Sequence, residues 1–266
     1  MVSRAALPVP ATAMPWRWAL LGALLGFAGM LACCAPAAWL AGAVHEASAG
    51  RIQLHDARGT LWTGSAQLQL TGGAGSRDSA MLPGRVSWTL RPQWRALNME
   101  VTAGCCTDEP LKARMVYRWR QPVLQVGDGA SRWPAALLAG LGMPWNTLRP
   151  EGELRLATQG LSLAWPQGGM VVWGRAELTA AAMSSRLAAL KPLGSYRLTL
   201  LGGDATTVEL STLEGRLQLS GHGRWTGARL RFEGAAGTGA EDETALANLL
   251  NIIGRRQGAR SLITLN

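Results

Sequence analysis

Adjacent cysteines, three scattered histidines and a pair of alternating glutamates are the residues whose types and spacing could do chemistry. Cys105 and Cys106 lie in TAGCCTDEP, a polar segment where an exported chain would form disulfides. Neighbouring Cα atoms stand about 3.8 Å apart, less than the usual disulfide span. Either the pair closes on itself as a strained ring or the two thiols face another chain; both readings stay open. A zinc site would need a second ligand pair at metal spacing, and none accompanies them. His45, His55 and His222 fall in no HExxH, GxSxG or cysteine–histidine arrangement. Glu151 and Glu153 have the spacing of paired acids, but a solvated strand face gives the same spacing. Asp108 and Glu109 sit in a loop. Glu241, Asp242 and Glu243 open a helix, where the dipole accounts for acids. GGAG (72–75) lacks the helix and lysine of a phosphate loop. The reading is a non-enzyme with no catalytic residue, no cofactor and no metal.

Of 26 basic residues only Lys112 and Lys191 are lysine, and the net charge is +9. That charge is spread along the chain. The nearest thing to a basic stripe is Arg114, Arg118 and Arg120, which a solvated strand face explains, so no nucleic-acid partner is inferred. A general attraction to anionic membrane or acidic partners remains. Tryptophan is unusually common, 12 against 2 Phe and 2 Tyr. Most of those beyond the N-terminus fall on the apolar phase of strands, which points to core packing.

The elements that would carry these residues begin with an apolar stretch. WALLGALLGFAGMLACCAPAAWLAGAV (18–44) has no charge, and a bilayer core needs about 20 such residues. It exceeds the apolar core of a cleaved signal peptide, about 7–15 residues. Trp16, Trp18 and Trp39 resemble interfacial aromatic belts. The expectation is a cytoplasmic tail over 1–17, a transmembrane signal anchor over 18–42, and an exported remainder in the periplasm of a bacterial inner-membrane protein. Competing readings are signal peptidase cleavage at ASAG (47–50) and a poor lipoprotein box at MLAC (30–33). Cys33 and Cys34 are then small apolar residues.

Past the anchor, apolar residues alternate with polar ones at period two, as in Leu68 and Leu70, Val86 and Trp88, Met99 and Val101, or Leu198 and Leu200. Gly- or Pro-bearing breaks separate about twelve to fourteen short strands. This predicts a mainly β fold: a twisted antiparallel sheet with one dry face. Two segments read as helices, SRWPAALLAGLG (131–142) and EDETALANLLNIIGRR (241–256). The order of elements also repeats. LPGRVSWTL (82–90) lines up with PLGSYRLTL (192–200), and GTLWTGSAQLQL with GMVVWGRAELTA, at a period of roughly 110 residues. Two similar β halves are expected, 46–158 and 159–266, each with a short helix.

GTLWTGSA, LPGRVSWTLRPQW, LLAGLGMPWNTLRPEGELRL and LLNIIGRRQG, in that order behind an apolar N-terminus, resemble protein N of the type II secretion system. The resemblance covers residue 16 to the end. It implies an accessory, non-catalytic inner-membrane component of the machinery that exports folded proteins, with other subunits of that system as partners. The Cys105–Cys106 pair is not part of the resemblance. A rival reading comes from the sheet itself: an anchored chain with one long apolar sheet face resembles the periplasmic lipid carriers of the AsmA type, with lipid as the partner. Trp62, Trp88 and Trp173 are the candidates for packing or partner contact. Trp62, between Gly59 and Gly64, is expected to fold over the apolar face, so that Trp62→Ala lowers stability by about 3–5 kcal/mol in a melt.

Overall fold

The computed structural model describes residues 16–118, 121–166, 169–226, 229–257 and 260–265. Most of the expected tail, and Trp119 and Arg120, lie outside the described residues. The chain forms two units, one up to Ala35 and one from Pro36 onward. The first is α1 (Trp16–Cys33), whose side chains from Trp16 to Met30 are mostly exposed and apolar. A second helix, α2 (Ala37–Ala47), follows Pro36. The expected single span over 18–42 is therefore two helices. Pro36 has no N–H to continue the first ladder, and with extended backbone it stands as the N-cap of α2. Among the described residues no helix is long and apolar enough to cross a membrane.

The second unit is built on one continuous antiparallel sheet of 16 strands. Its first part runs β1 (Ile52–Gly59), β2 (Thr63–Thr71), β3 (Ser79–Met81), β4 (Val86–Gln93), β5 (Ala96–Ala103), β6 (Leu111–Arg118), β7 (Gln121–Val126) and β8 (Gly129–Pro134). A 3₁₀ helix (Ala135–Leu141) and the short α3 (Trp145–Leu148) follow. Then come β9 (Pro150–Ala164), β10 (Val171–Ser185), β11 (Gly194–Leu201), β12 (Thr207–Gly215), β13 (Leu217–Thr226) and β14 (Arg229–Thr238). After α4 (Glu243–Ile253) the chain ends with β15 (Arg255–Gln257) and β16 (Arg260–Leu265). Neighbours in the sheet are neighbours in sequence except at three places: β2 pairs β4 past β3, β7 pairs β9 past β8 and the 3₁₀ segment, and β14 pairs β16 past α4 and β15. β3 lies beside β2, and β8 beside β9.

Side chains alternate across a strand, so the register carries one apolar face from strand to strand. Leu90, Met99, Ala113 and Val126 stand opposite one another across four strands. Leu156, Leu178, Leu198 and Leu210 do the same across four more. Helices cover this face only in places. α2 closes over Leu54, Ala57, Ala66 and Trp88. The 3₁₀ helix presses Leu137 onto Leu82, Val86, Ala103 and Cys106. α4 buries Leu246, Leu249 and Leu250 against Tyr196, Leu217 and Ala236.

Both expected helices begin or end differently. Residues 131–134 are strand, because Ser131 pairs with Leu156 and its hydroxyl accepts the Trp133 indole N–H at 2.9 Å; the helical segment starts only after Pro134. α4 stops at Gly254, and Arg255–Gln257 turn back to pair with β16. The glycine of GTLWTGSA is fixed by another motif. Gly64 pairs with Trp88, and a Cβ on Gly64 would lie 2.6 Å from the Trp88 ring. Trp88 is 5 % exposed and donates its indole N–H to the Leu61 carbonyl at 3.1 Å. Trp62 is only half-buried. Trp88 is thus the ring that closes this hairpin.

Two stability outcomes follow. Trp88→Ala should cost about 3–5 kcal/mol and Leu250→Ala about 2–5 kcal/mol in denaturant unfolding, as full core truncations do. Trp62→Ala should cost clearly less than Trp88→Ala, and equal losses would contradict the assignment of the hairpin core to Trp88.

Candidate functional site

The candidate chemical residues are held apart. His45 lies on α2, His55 on β1 and His222 on β13. His55 contacts the Gln53 amide oxygen at 3.1 Å. His222 stands opposite Glu209 and Glu233 in register on an exposed strand face. Among the described residues no cluster of three or more His, Cys, Asp or Glu is placed to hold a metal. Glu151 and Glu153 flank Gly152, where β9 and β10 shift register. Glu151 reaches Lys191 and Arg186, each at 3.4 Å, and Glu153 turns to Arg155 at 2.5 Å. The two acids therefore serve separate exposed ion pairs. Asp108 holds Arg132, Asp242 holds Arg216, and Glu243 holds Arg256. Cys105 and Cys106 are joined by a disulfide in the turn between β5 and β6.

Among the described residues three groups have shifted acidities. Hydrogen bonds from Arg58 and then Arg85 hold the Asp56 carboxyl below its ordinary range, and Lys191 and then Arg186 do so for Glu151. Whatever these pairs contribute is present above the ordinary carboxylate range and is lost as pH falls through the lowered values. Burial pushes the Tyr196 phenol upward; its hydroxyl donates to the Leu217 carbonyl at 3.1 Å.

Two surfaces on the sheet could take a partner or a lipid. The first is on the apolar face, where β8 leaves β7. β9 pairs with β7 only over residues 162–164, and with β8 over 153–158. The fork between them opens a hollow of about 550 Å³ lined by Val101, Leu111, Ala113, Val126 and Leu156, and also by Asp108, Glu109, Lys112, Asp128 and Thr158. None of these apolar residues is fully buried.

The second surface is on the polar face. Arg91, Asn98, Arg114, Gln125, Ser162 and Trp173 stand in register, one on each of six adjacent strands. Strands lie about 4.8 Å apart, so the row spans roughly 24 Å. Trp173 is 46 % exposed, because it falls in the polar phase with Ser162 while Val172 takes the apolar phase and is fully buried. The two candidate tryptophans from corresponding segments are thus unlike: Trp62 is half-buried in a turn, and Trp173 stands on the solvated face. A depression of about 420 Å³ follows the Arg91–Gln125 part of the row and takes in Lys112 and Glu100. Arg114 was legible in the sequence as part of a basic stripe. Arg91, Asn98 and Gln125 were not, because cross-strand register is set by hairpin turns and bulges that spacing alone leaves open.

A family model for protein N of the type II secretion system matches residues 50–263. No curated protein and no solved structure matches the chain.

The hollow and the capped core should respond differently to added volume. Ala113→Leu places atoms in open space and should leave the unfolding midpoint nearly unchanged. Ala66→Leu, at a fully buried position under α2, should destabilise by about 1–3 kcal/mol.

Proposed function

We propose that this chain, which belongs to the type II secretion system protein N family, is an accessory, non-catalytic part of that machine, using its sheet as a docking scaffold in the cell envelope. α1, apolar on every side beyond Arg17 and with Trp16 and Trp18 in its first turn, holds the chain to the inner membrane. The sheet then lies in the periplasm, where other subunits of the secretion system reach it. The two similar halves descend from one unit. What supports this is the repeated scheme in which a run of hairpins ends in a helix and a returning strand, once as β7–helix–β9 and again as β14–α4–β16.

The observation that carries the scaffold reading is the row from Arg91 to Trp173. Interface hot spots are enriched in tryptophan and arginine, and here an exposed Trp and two exposed Arg are aligned on rigid strands rather than on loops. The surplus of basic charge favours an acidic partner surface. A second reading keeps one specific observation: the hollow at the β8 fork is apolar and uncovered, with room for part of an acyl chain. On that reading the protein binds lipid in the periplasm.

Trp173→Ala combined with Arg114→Glu decides the first reading. Melting should shift by less than about 0.5 kcal/mol equivalent, as for other surface changes, while co-purification of secretion subunits with the membrane-extracted protein falls at least several-fold. Unchanged capture overturns the assignment of the row. Stoichiometric phospholipid in mass spectra of the purified chain would favour the lipid reading instead.

A further inference from the structure

We propose that Cys105 and Cys106 form a thiol–disulfide exchange site for a dithiol partner, with Cys105 the sulfur attacked and Cys106 the sulfur expelled. A disulfide stabilises a fold chiefly by shortening the loops open to the unfolded chain, and the gain grows with the loop it closes. The Cys105–Cys106 bridge joins consecutive residues, so it closes the smallest loop a chain can form. Global stability is therefore not its role. Its effect is confined to the turn between β5 and β6.

The two sulfur-bearing residues differ in access. Cys105 is exposed, whereas Cys106 is 4 % exposed and packs among Leu82, Val86, Ala103 and Leu137. A solvent-open hollow of about 390 Å³ lies against the turn and is walled by Pro83, Asp108, Arg132, Trp133 and both cysteines, of which Cys105 is the exposed one. The turn is clamped to β8. The Arg132 N–H donates to the Cys106 carbonyl at 2.8 Å, and the Arg132 guanidinium donates to both oxygens of Asp108 at 2.8 and 2.7 Å. The Cys106 N–H donates to the Ala103 carbonyl at 2.8 Å.

In the exchange, one thiolate of the dithiol attacks the Cys105 sulfur. A mixed disulfide forms, the Cys105–Cys106 bond breaks, and its electron pair leaves on the Cys106 sulfur, which takes a proton from water. The partner's second thiol, losing its proton, then attacks the partner's own sulfur in the mixed disulfide and releases Cys105 as a thiolate, which is protonated in turn. Two electrons pass to the protein, two thiols appear on it, and the partner leaves as a disulfide. A thiolate expelled among leucines and valine is poorly solvated, so Cys106 must swing outward as the bond breaks. The Asp108–Arg132 clamp resists that swing and sets how readily the site reacts.

The test uses the full chain extracted from membranes without reductant, treated natively with dithiothreitol, quenched in acid and labelled with N-ethylmaleimide. Trypsin leaves both cysteines on one peptide, residues 96–112. No label before reductant and two labels after it are expected. Asp108→Ala should speed native reduction about two- to five-fold, the range an exposed ion pair supports. With reduced glutathione as the attacking thiol, the trapped adduct should sit on Cys105. Cys105→Ala should leave the melting temperature within about 2 °C. Labelling of both cysteines in protein already oxidised in vitro, reduction only in denaturant, an adduct on Cys106, or an unaltered rate in Asp108→Ala would each overturn the proposal. An oxidised pair in cells depends on the export proposed above; protein oxidised in vitro and then reduced by dithiothreitol tests the exchange separately from that location.

Discussion

β9 is the strand on which the sheet depends. Along one edge it keeps twelve residue pairs with β10; along the other it divides its hydrogen bonds between β7 and β8. The division falls at Gly160, whose left-handed backbone (φ +55°) lets two residues of β9 oppose one of β10. The Gly160 N–H donates to the Asp128 carboxylate at 2.6 Å, and the Thr158 hydroxyl donates to the Gly127 carbonyl at 2.9 Å. These two bonds pin the β7–β8 turn to the bulge. Beyond them, the first eight strands join β9 through three pairs from β7 and six from β8. A boundary between halves at 158/159 lies within β9, so any duplication has been absorbed into one sheet.

A sheet with one apolar face must cover that face or leave it wet. Here the cover is local. α2, the 3₁₀ helix and α4 each bury a patch, and between the patches Met99, Ala113, Leu156 and Leu178 remain half-exposed. Burial is thus concentrated where helices dock, and function is left with what they do not cover: the fork hollow on one face and the Arg–Trp row on the other. The motifs that carry the family resemblance lie at the docking points. Gly64 is where the Trp88 ring meets β2, and Gly140 is where the 3₁₀ helix meets the backbone of β2 and β3, so that a Cβ there would come within 2.4 Å of the Leu70 carbonyl oxygen. They record packing more than chemistry.

Period two made the strands and their apolar phase legible, since Leu68, Val86, Met99 and Leu198 each lie where alternation placed them. Two kinds of feature escaped it. Segments such as 131–134 carry a helix-start composition but are claimed by β9 as a strand, because tertiary pairing outweighs local capping preference. Trp173 sits beside a bulge, and a one-residue slip moves a side chain to the opposite face. At the apolar N-terminus, length, absence of charge and the flanking tryptophans favour a single span, whereas Pro36 divides it. Adjacency of Cys105 and Cys106 permits two outcomes, and spacing alone does not choose between them.

The claim at the centre of this account is that residues from Pro36 onward form one cooperative sheet joined through β9. Native-state hydrogen exchange on the full chain, read by peptide across β7, β9 and β10, tests it directly. The account predicts that amides of β9 on both sides of Gly160 exchange together with those of β10, at the slowest rate in the sheet. If residues 150–158 instead exchange with β1–β8, and 161–164 separately with β10–β16, the halves open independently and the account is contradicted.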